Sequence, residues 1–424
     1  MQRRERVAHR INERFYYGWL MLAVGMVGNF CSGPGQTFTV SVFIDPLIAE
    51  FGLSRASISG AYGTGTMIGA LGLSFVGLLI DRHGPRIVLA GAGLMLGLTC
   101  LLFPWAGGLA GLYLLFTAQR FFGQGSIPLA CNNLVSQWFM RRRGLALSLL
   151  GMGGSLGFAV FPPVVQALIA VWGWQWTFAG LGVFVWVVLV PLASSLVVNK
   201  PEEMGLEPEV SHPRAPVQTG TDHPLPAREV NWTRREAFRT RQFWVLSLGK
   251  AIHGALITGL TFHQISLMGA QGVSASMAAM ALTVGALARM AAGLLMGPLL
   301  DRFPVHLILS AGFGMMAVGM AYLVRVDSTA TAFLYASILG VAGGTLMTGS
   351  AFAFPHYFGR AHLGSIQGPA NTVGILGAAL GPIPFGVAFD LLGGYRGAIL
   401  VQAVFPVILA GAMIISGPPR RKIP

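Results

Sequence analysis

Long apolar runs, almost empty of charge, follow one another along this chain and limit what it can become. A run of about 20 apolar residues crosses a hydrocarbon core as a helix. Twelve such runs are readable between charged or Gly/Pro breaks, near 17–43, 56–80, 86–105, 111–136, 145–171, 175–198, 243–268, 275–300, 306–324, 330–353, 364–389 and 396–416. Charged residues make up only 10% of the 424 positions, against about 25% in ordinary globular chains. They are also crowded together, with fourteen between Asn199 and Gln242 and seven in the first 15 residues. The pattern predicts an all-α membrane protein of twelve transmembrane helices and excludes a soluble domain.

The excess of 28 Lys and Arg over 15 Asp and Glu would suggest nucleic acid in a soluble chain. Here membrane orientation explains it. Twelve spans put both termini on one side, and 22 of the 28 basic residues fall on that side. Arg55, Arg325 and Arg396 lie on the other, and Arg120, Lys250 and Arg289 lie inside spans. Basic loops face the cytoplasm, so both termini are expected there, in a cell (inner) membrane. No nucleic-acid partner is expected. Cys31, Cys100 and Cys131 sit in apolar runs without metal-ligand or paired spacing, so neither a disulfide framework nor a metal site is expected. Arg3, Arg4, Arg6, Arg10 and Arg14 precede an apolar run too long for a signal peptide; the first helix is expected to remain.

The chain repeats itself at an offset of 220 residues. Gly77, Asp81 and Arg82 recur as Gly297, Asp301 and Arg302; Gly144, Gly154, Gly157, Pro162 and Gly173 recur as Gly364, Gly374, Gly377, Pro382 and Gly393. Glycine matches alone would mean little among 58 glycines, but the Asp-Arg pair and the proline share their register. Two pseudo-symmetric six-helix bundles follow, at 1–198 and 243–424, joined by a polar linker at 199–242. That linker, with Pro201, Pro208, Pro213, Pro216, Pro224 and Pro226, is expected to be mostly irregular, a tether with a short surface helix around Trp232–Thr240.

The stretch Gly77-x-x-x-Asp81-Arg82-x-Gly84-x-Arg86 resembles the loop 2–3 signature of the major facilitator superfamily of secondary transporters, and Asp301-Arg302 is its partial copy. A carboxylate at a helix end with nearby cations is expected to latch the two bundles on the cytoplasmic face. Narrower similarity to bacterial monocarboxylate and oxalate:formate exchanger relatives lies in three places. These are the linker opening Lys200 to Leu206, the run around Arg120, Gly123, Gln124 and Gly125 with Trp138, Phe139 and Arg141 to Gly144, and Ala288 to Gly293 in span 8. The resemblance implies alternating access around a midplane site, with Arg289 matching the arginine that binds substrate carboxylate. Two departures stand out. Gly285 occupies a position where proton-coupled relatives carry an acid, and span 11 lacks the lysine of the oxalate:formate type, leaving Asn371 as its nearest polar candidate.

Charge inside a membrane is costly and marks function. Arg120 and Arg289 lie near the middle of spans 4 and 8, Lys250 lies in span 7, and no Asp or Glu lies well inside a span. Unpaired cations around a watery chamber suit an anion, and a guanidinium grips carboxylate with two hydrogen bonds. Helical spacing adds polar stripes: Lys250, His253, Thr261 and Gln264 on span 7, Asn29, Ser32 and Gln36 on span 1, Thr117, Arg120 and Gln124 on span 4, and Gln367 and Asn371 on span 11. The expected substrate site is Arg289, Lys250, Arg120, His253, Gln124, Asn29, Gln36, Thr261, Gln264 and Asn371, with His253 the candidate proton carrier. Gly77, Asp81, Arg82, Gly84, Arg86, Asp301 and Arg302 are the expected gate. His263 points away from this stripe and is read as a packing residue.

The resulting expectation is secondary transport of small organic anions, monocarboxylates first, by proton symport or anion exchange. A dicarboxylate or other organic-anion exchanger and a non-transporting sensor of the same fold are the alternatives. The partners are a small carboxylate, protons and the lipid bilayer, and the expected working unit is a monomer. Motifs for metalloprotease, serine-hydrolase and nucleotide-phosphate chemistry are absent from the sequence. An enzyme is therefore not expected, and no cofactor.

Overall fold

Inside a bilayer the backbone has no water to bond, so spanning segments satisfy themselves as helices. A computed structural model describes residues 16–53, 55–206, 208, 231–385, 387 and 394–419. Arg3 to Arg14, Pro213, Pro216, Pro224, Pro226 and Gly393 lie outside the described residues. Seven helices among those described are long and apolar enough to cross a membrane. Two of these are pairs of spans merged across a kink. Gly84 (φ 80°) separates spans 2 and 3, and Gly173 (φ 77°) separates spans 5 and 6. A positive φ of this kind is comfortable only for glycine.

Other passes are built from pieces. Span 1 is Gly18–Cys31 and Thr37–Phe51, joined by a 3₁₀ turn at Gly33–Gly35. It continues well past residue 43, where the apolar run was read to stop, because helix restarts at Thr37 and ends at Gly52 in the left-handed region. Gly272, 220 residues on, lies with φ 85° in the turn just past the corresponding helix Arg241–Gly269, so the repeat keeps its register there. Span 4 runs Leu109–Gln119, a π-helical segment Arg120–Ser126, and Ile127–Trp138. Spans 7 to 10 are Arg241–Gly269, Ala275–Leu300, Val305–Leu323 and Thr329–Phe358; Leu363–Leu380 begins span 11, and Arg396–Ser416 is span 12.

The outer faces stay apolar and open: Leu114, Val171, Trp176, Leu295 and Ile415 are all exposed, which suits lipid rather than water. Within the bundles, lipid removes the usual hydrophobic drive, and small residues allow helices to approach closely. The seam between halves shows this twice. A Cβ at Gly77 would collide with the Gly364 carbonyl, and one at Gly144 with the Gly297 carbonyl. Span 2 thereby packs on span 11 and span 5 on span 8, an exchange that follows the 220-residue repeat.

The described ends of the linker are anchored rather than slack. Pro201–Met204 forms a 3₁₀ turn, and Glu202 pairs with Arg360 at 2.9 Å. At the other end Asn231 Oδ1 accepts from Arg360 N and Ala361 N (2.9 and 3.0 Å), while Trp232 N donates to the Phe358 carbonyl. The expected surface helix is only Arg234–Phe238, started by a Thr233–Glu236 capping box. It begins only after Trp232, which is committed to span 10.

Candidate functional site

The two mid-span arginines meet different surroundings. A 3₁₀ turn leaves carbonyls without helical partners, and the turn at Gly33–Gly35 points two of them at span 4. Gln119 Nε2 donates to Pro34 O at 2.8 Å, and Arg120 donates from Nη1 to Gly35 O at 2.9 Å. Arg120 Nε donates to Thr66 Oγ1 at 2.9 Å, and its guanidinium lies 4.7 Å from the Tyr62 ring centre. Only 4% of Arg120 is exposed. This arginine ties spans 1, 2 and 4 together, and its hydrogen bonds are spent on the fold.

Arg289 has none of these supports. It stands twelve residues before Asp301 at the end of span 8, about 18 Å of helical rise into the membrane. No hydrogen bond or ion pair joins it to a described residue, and its Nε is sealed from solvent without a partner. Facing it from span 7 is His253, whose Nε2 is likewise buried and unpartnered. Span 10 closes the third side with glycine: a Cβ at Gly343 would lie 3.4 Å from Arg289 Nε and 3.8 Å from His253 Nε2.

Lys250 lies one turn below His253, and both Lys250 and Arg289 are within electrostatic reach of that imidazole. Lys250 Nζ donates to Asn371 Oδ1 on span 11 and lies 5.5 Å from the Phe354 ring centre. Its stem runs over Gly374, where a Cβ would be 3.3 Å from Lys250 Cβ. Among the described residues, no Asp or Glu pairs with Lys250 or Arg289. The structure thus gathers Arg289, His253, Lys250 and Asn371 in the second half, around a concentration of positive charge.

The remaining sequence candidates are placed elsewhere. Asn29 Nδ2 donates to Leu150 O, and Gln36 Nε2 to Ser32 Oγ, so the span 1 stripe is used within the first bundle. Gln264 is buried and donates to Ala278 O on span 8, so its amide is spent on packing. Thr261 is exposed, and Gln124 makes no hydrogen bond with a described residue. His263 packs against Pro382 O and Tyr395 Oη, as its direction on the helix implied. Gly343 escaped sequence reasoning, since one glycine among many carries no signal of its own.

The gate keeps cations near its carboxylates, Arg142 and Arg143 beside Asp301 and His362 beside Asp81, but it adds helix capping to the expected carboxylate–cation latch. Asp81 accepts from Gly364 N and Ser365 N, both at 2.8 Å, at the start of span 11. Asp301 accepts from Gly144 N and Leu145 N, at 2.8 and 3.3 Å, at the start of span 5. Each carboxylate caps a helix of the opposite half, where free N–H groups and the helix dipole favour negative charge. Arg86 does not join the latch: it donates to Ser194 O in its own half, and its backbone N–H donates to Asn199 Oδ1. Arg82 and Arg302 are exposed and make no hydrogen bond with a described residue. A polar pocket between Asp81, Asn199 and Glu203 belongs to this latch, remote from the cation cluster.

More ties surround the latch. Gln137 and Arg360 exchange hydrogen bonds across the seam, Gln367 Nε2 donates to Asn132 Oδ1, and Thr372 Oγ1 donates to Ala70 O. Ala70 is eleven residues from Asp81, about 16 Å along the helix. Among the described residues no hydrogen bond crosses the seam beyond that depth. The halves are fastened from the linker side to mid-membrane.

Comparison with known proteins matches this architecture. A sequence model of the Major Facilitator Superfamily matches residues 25–269 and 257–424. The oxalate:formate antiporter of Oxalobacter formigenes is 25% identical over 236 residues, 56% of this chain and about half (51%) of that protein's length. Monocarboxylate transporter 11 of Mus musculus is 26% identical over 418 residues, 95% of this chain and 88% of the relative. Among solved structures, the proton:xylose symporter XylE, bound to 6-bromo-6-deoxy-D-glucose, superposes with a TM-score of 0.67 at 15% identity, covering 94% of this chain and 95% of that one. The human organic anion transporter MFSD10 gives 0.64 at 15% identity, covering 93% and 99%. At such identities the structural likeness speaks for the fold.

Proposed function

The chain belongs to the Major Facilitator Superfamily, and from that premise we propose that it carries small organic anions, monocarboxylates first, by alternating access about Arg289. One observation carries this reading: Arg289 is a mid-membrane guanidinium that the protein leaves without an acceptor. A buried charge is tolerated when it is paired, and here the natural acceptor is a substrate carboxylate. Lys250 and His253 add positive field and a second donor, while Asn371 holds the Lys250 ammonium toward span 11. Relatives named for oxalate, formate and monocarboxylates support the class.

In this reading the site comprises Arg289, Lys250, His253 and Asn371. Arg120 belongs to the scaffold of the first bundle. Bundles at 1–198 and 243–424 rock about the site, with the linker and both termini cytoplasmic and the far side the one left unfastened. The Asp81 and Asp301 caps hold the cytoplasmic side shut and must release for inward opening. Coupling runs either by anion exchange, in which a returning anion resets the positive site, or by proton symport through His253. Gly285 supplies no carboxylate, and a side chain there would press on the Ala336 carbonyl of span 10, 3.1 Å from its Cβ.

Lys250 supports a second reading, a dicarboxylate held between two cations. Uptake into proteoliposomes separates these. Labelled lactate and oxalate would each be offered with and without internal counter-anion, following internal pH. Uptake of either that disappears in Arg289→Ala supports the proposal; carboxylate uptake undiminished in that variant overturns it. Binding of carboxylate without any flux would assign the chain to sensing.

A further inference from the structure

Two buried nitrogens without partners border one missing methyl group. Arg289 Nε and His253 Nε2 are each sealed and unpartnered, and the point where a Gly343 side chain would begin is 3.4 Å from one and 3.8 Å from the other. Leaving such groups unpaired is expensive, on the order of 1–3 kcal/mol for each and more when charged. Native proteins rarely keep them without a ligand or an ordered water. Beyond span 10's own chain around Gly343, the nearest atoms to that point belong to these two side chains. An acceptor oxygen entering the gap in front of the Gly343 Cα would therefore lie between the two nitrogens.

We propose that Arg289 Nε and His253 Nε2 share one carboxylate oxygen of the substrate, seated on Gly343, and that the absent Cβ at 343 is what admits it. Arg289 then grips the carboxylate side-on. Nε holds the shared oxygen, and a terminal nitrogen of the fork holds the other, in the bidentate geometry guanidinium favours. His253 donates through Nε2, which makes the Nε2–H tautomer the binding form and gives a neutral imidazole a role in specificity. The proposal rests on the carboxylate reading of Arg289 and adds two residues to it.

Gly343 makes the idea testable with little risk to the fold. A methyl there would meet its nearest neighbours at 3.4–3.9 Å, which is ordinary van der Waals contact. Gly343→Ala should thus fill the oxygen's seat while leaving the helices in place. Purified protein in nanodiscs would be titrated with L-lactate and with oxalate, alongside thermal unfolding of each variant. Gly343→Ala and His253→Ala should each lose at least about tenfold in affinity, the scale of a charge-assisted hydrogen bond. His253→Gln, which keeps a donor near Nε2, should recover most of that loss, and the melting temperature of Gly343→Ala should stay near wild type.

Affinities within twofold of wild type in both Gly343→Ala and His253→Ala, with binding abolished in Arg289→Ala, would overturn the shared-oxygen geometry and leave the carboxylate site standing. Full binding in Arg289→Ala, or no binding of either anion to the wild-type protein, would remove the site itself. Should Gly343→Ala fail to fold, the contrast between His253→Ala and His253→Gln decides alone: equal loss in both, or no loss in either, contradicts the proposal.

Discussion

Arg120 and Arg289 are the same residue type at similar depth, and the protein treats them in opposite ways. The repeat shows how. Gly33–Gly35 of span 1 corresponds to residues 253–255 of span 7, and Gly123 of span 4 to Gly343 of span 10. In the first half the helix breaks at Gly33–Gly35, its freed carbonyls take Gln119 and Arg120, and Gly35 and Gly123 pack backbone on backbone. In the second half the equivalent stretch stays within one continuous helix, so its carbonyls are used internally. It carries His253 instead, and the space in front of Gly343 holds side-chain nitrogens rather than another backbone. One half has turned its buried cation into a strut. The other has left its cation for a ligand.

Substitutions can break or sharpen this contrast. The largest effect belongs to Arg289→Ala, which should lower carboxylate affinity by at least about a hundredfold, the scale of a lost bidentate charged pair. It should leave the melting temperature nearly unchanged, because no protein acceptor is orphaned; titration with calorimetry on the same preparation reads both. Arg120→Ala should do the reverse. Stripping Gly35 O and Thr66 Oγ1 of their donor costs on the order of 1–3 kcal/mol for each group left unpaired. Thermal unfolding should shift down by several degrees, while affinity per folded molecule changes less than about threefold.

Lys250→Met tests the second cation. It should weaken oxalate by about tenfold and lactate by much less, since a single carboxylate is already held by Arg289; competition binding with both anions measures the ratio. The smallest effect concerns the caps. Asp81→Asn and Asp301→Asn each remove charge from a pair of amide donors, worth about 0.3–1 kcal/mol per cap. Both should raise cytoplasmic accessibility of a cysteine introduced near the seam. Asp81→Asn should do so more strongly, because Asp81 is half-buried and Asp301 is exposed.

Much of this was legible in the chain alone. Apolar runs, the Gly77-to-Arg86 signature and the 220-residue repeat announced the fold, because bilayer thickness and repeated close packing leave marks that need no tertiary detail. The depth of Arg289, with no acid nearby in its spans, was equally plain. The division of labour between the arginines was hidden. Whether the carbonyls freed at Gly33–Gly35 meet span 4 depends on how helices are packed, and spacing does not encode that. Gln264 shows a similar limit: ideal rotation puts it beside Lys250, yet its amide bonds Ala278 on span 8. The anchoring of the linker ends was hidden for a related reason, since Asn231, Trp232 and Glu202 find partners in the distant loop around Arg360.

Chemical labelling addresses the central contrast most directly. The purified, reconstituted protein would be treated with phenylglyoxal, an arginine-selective reagent, with and without saturating lactate or oxalate, and the modified residues identified by mass spectrometry. Arg289, unpaired, should be modified and then shielded by the anion that binds it, while Arg120, committed to Gly35 and Thr66, should remain untouched in both conditions. Modification of Arg120 at the rate of Arg289, or labelling of Arg289 that neither carboxylate slows, would contradict the assignment of one arginine to the scaffold and the other to the substrate.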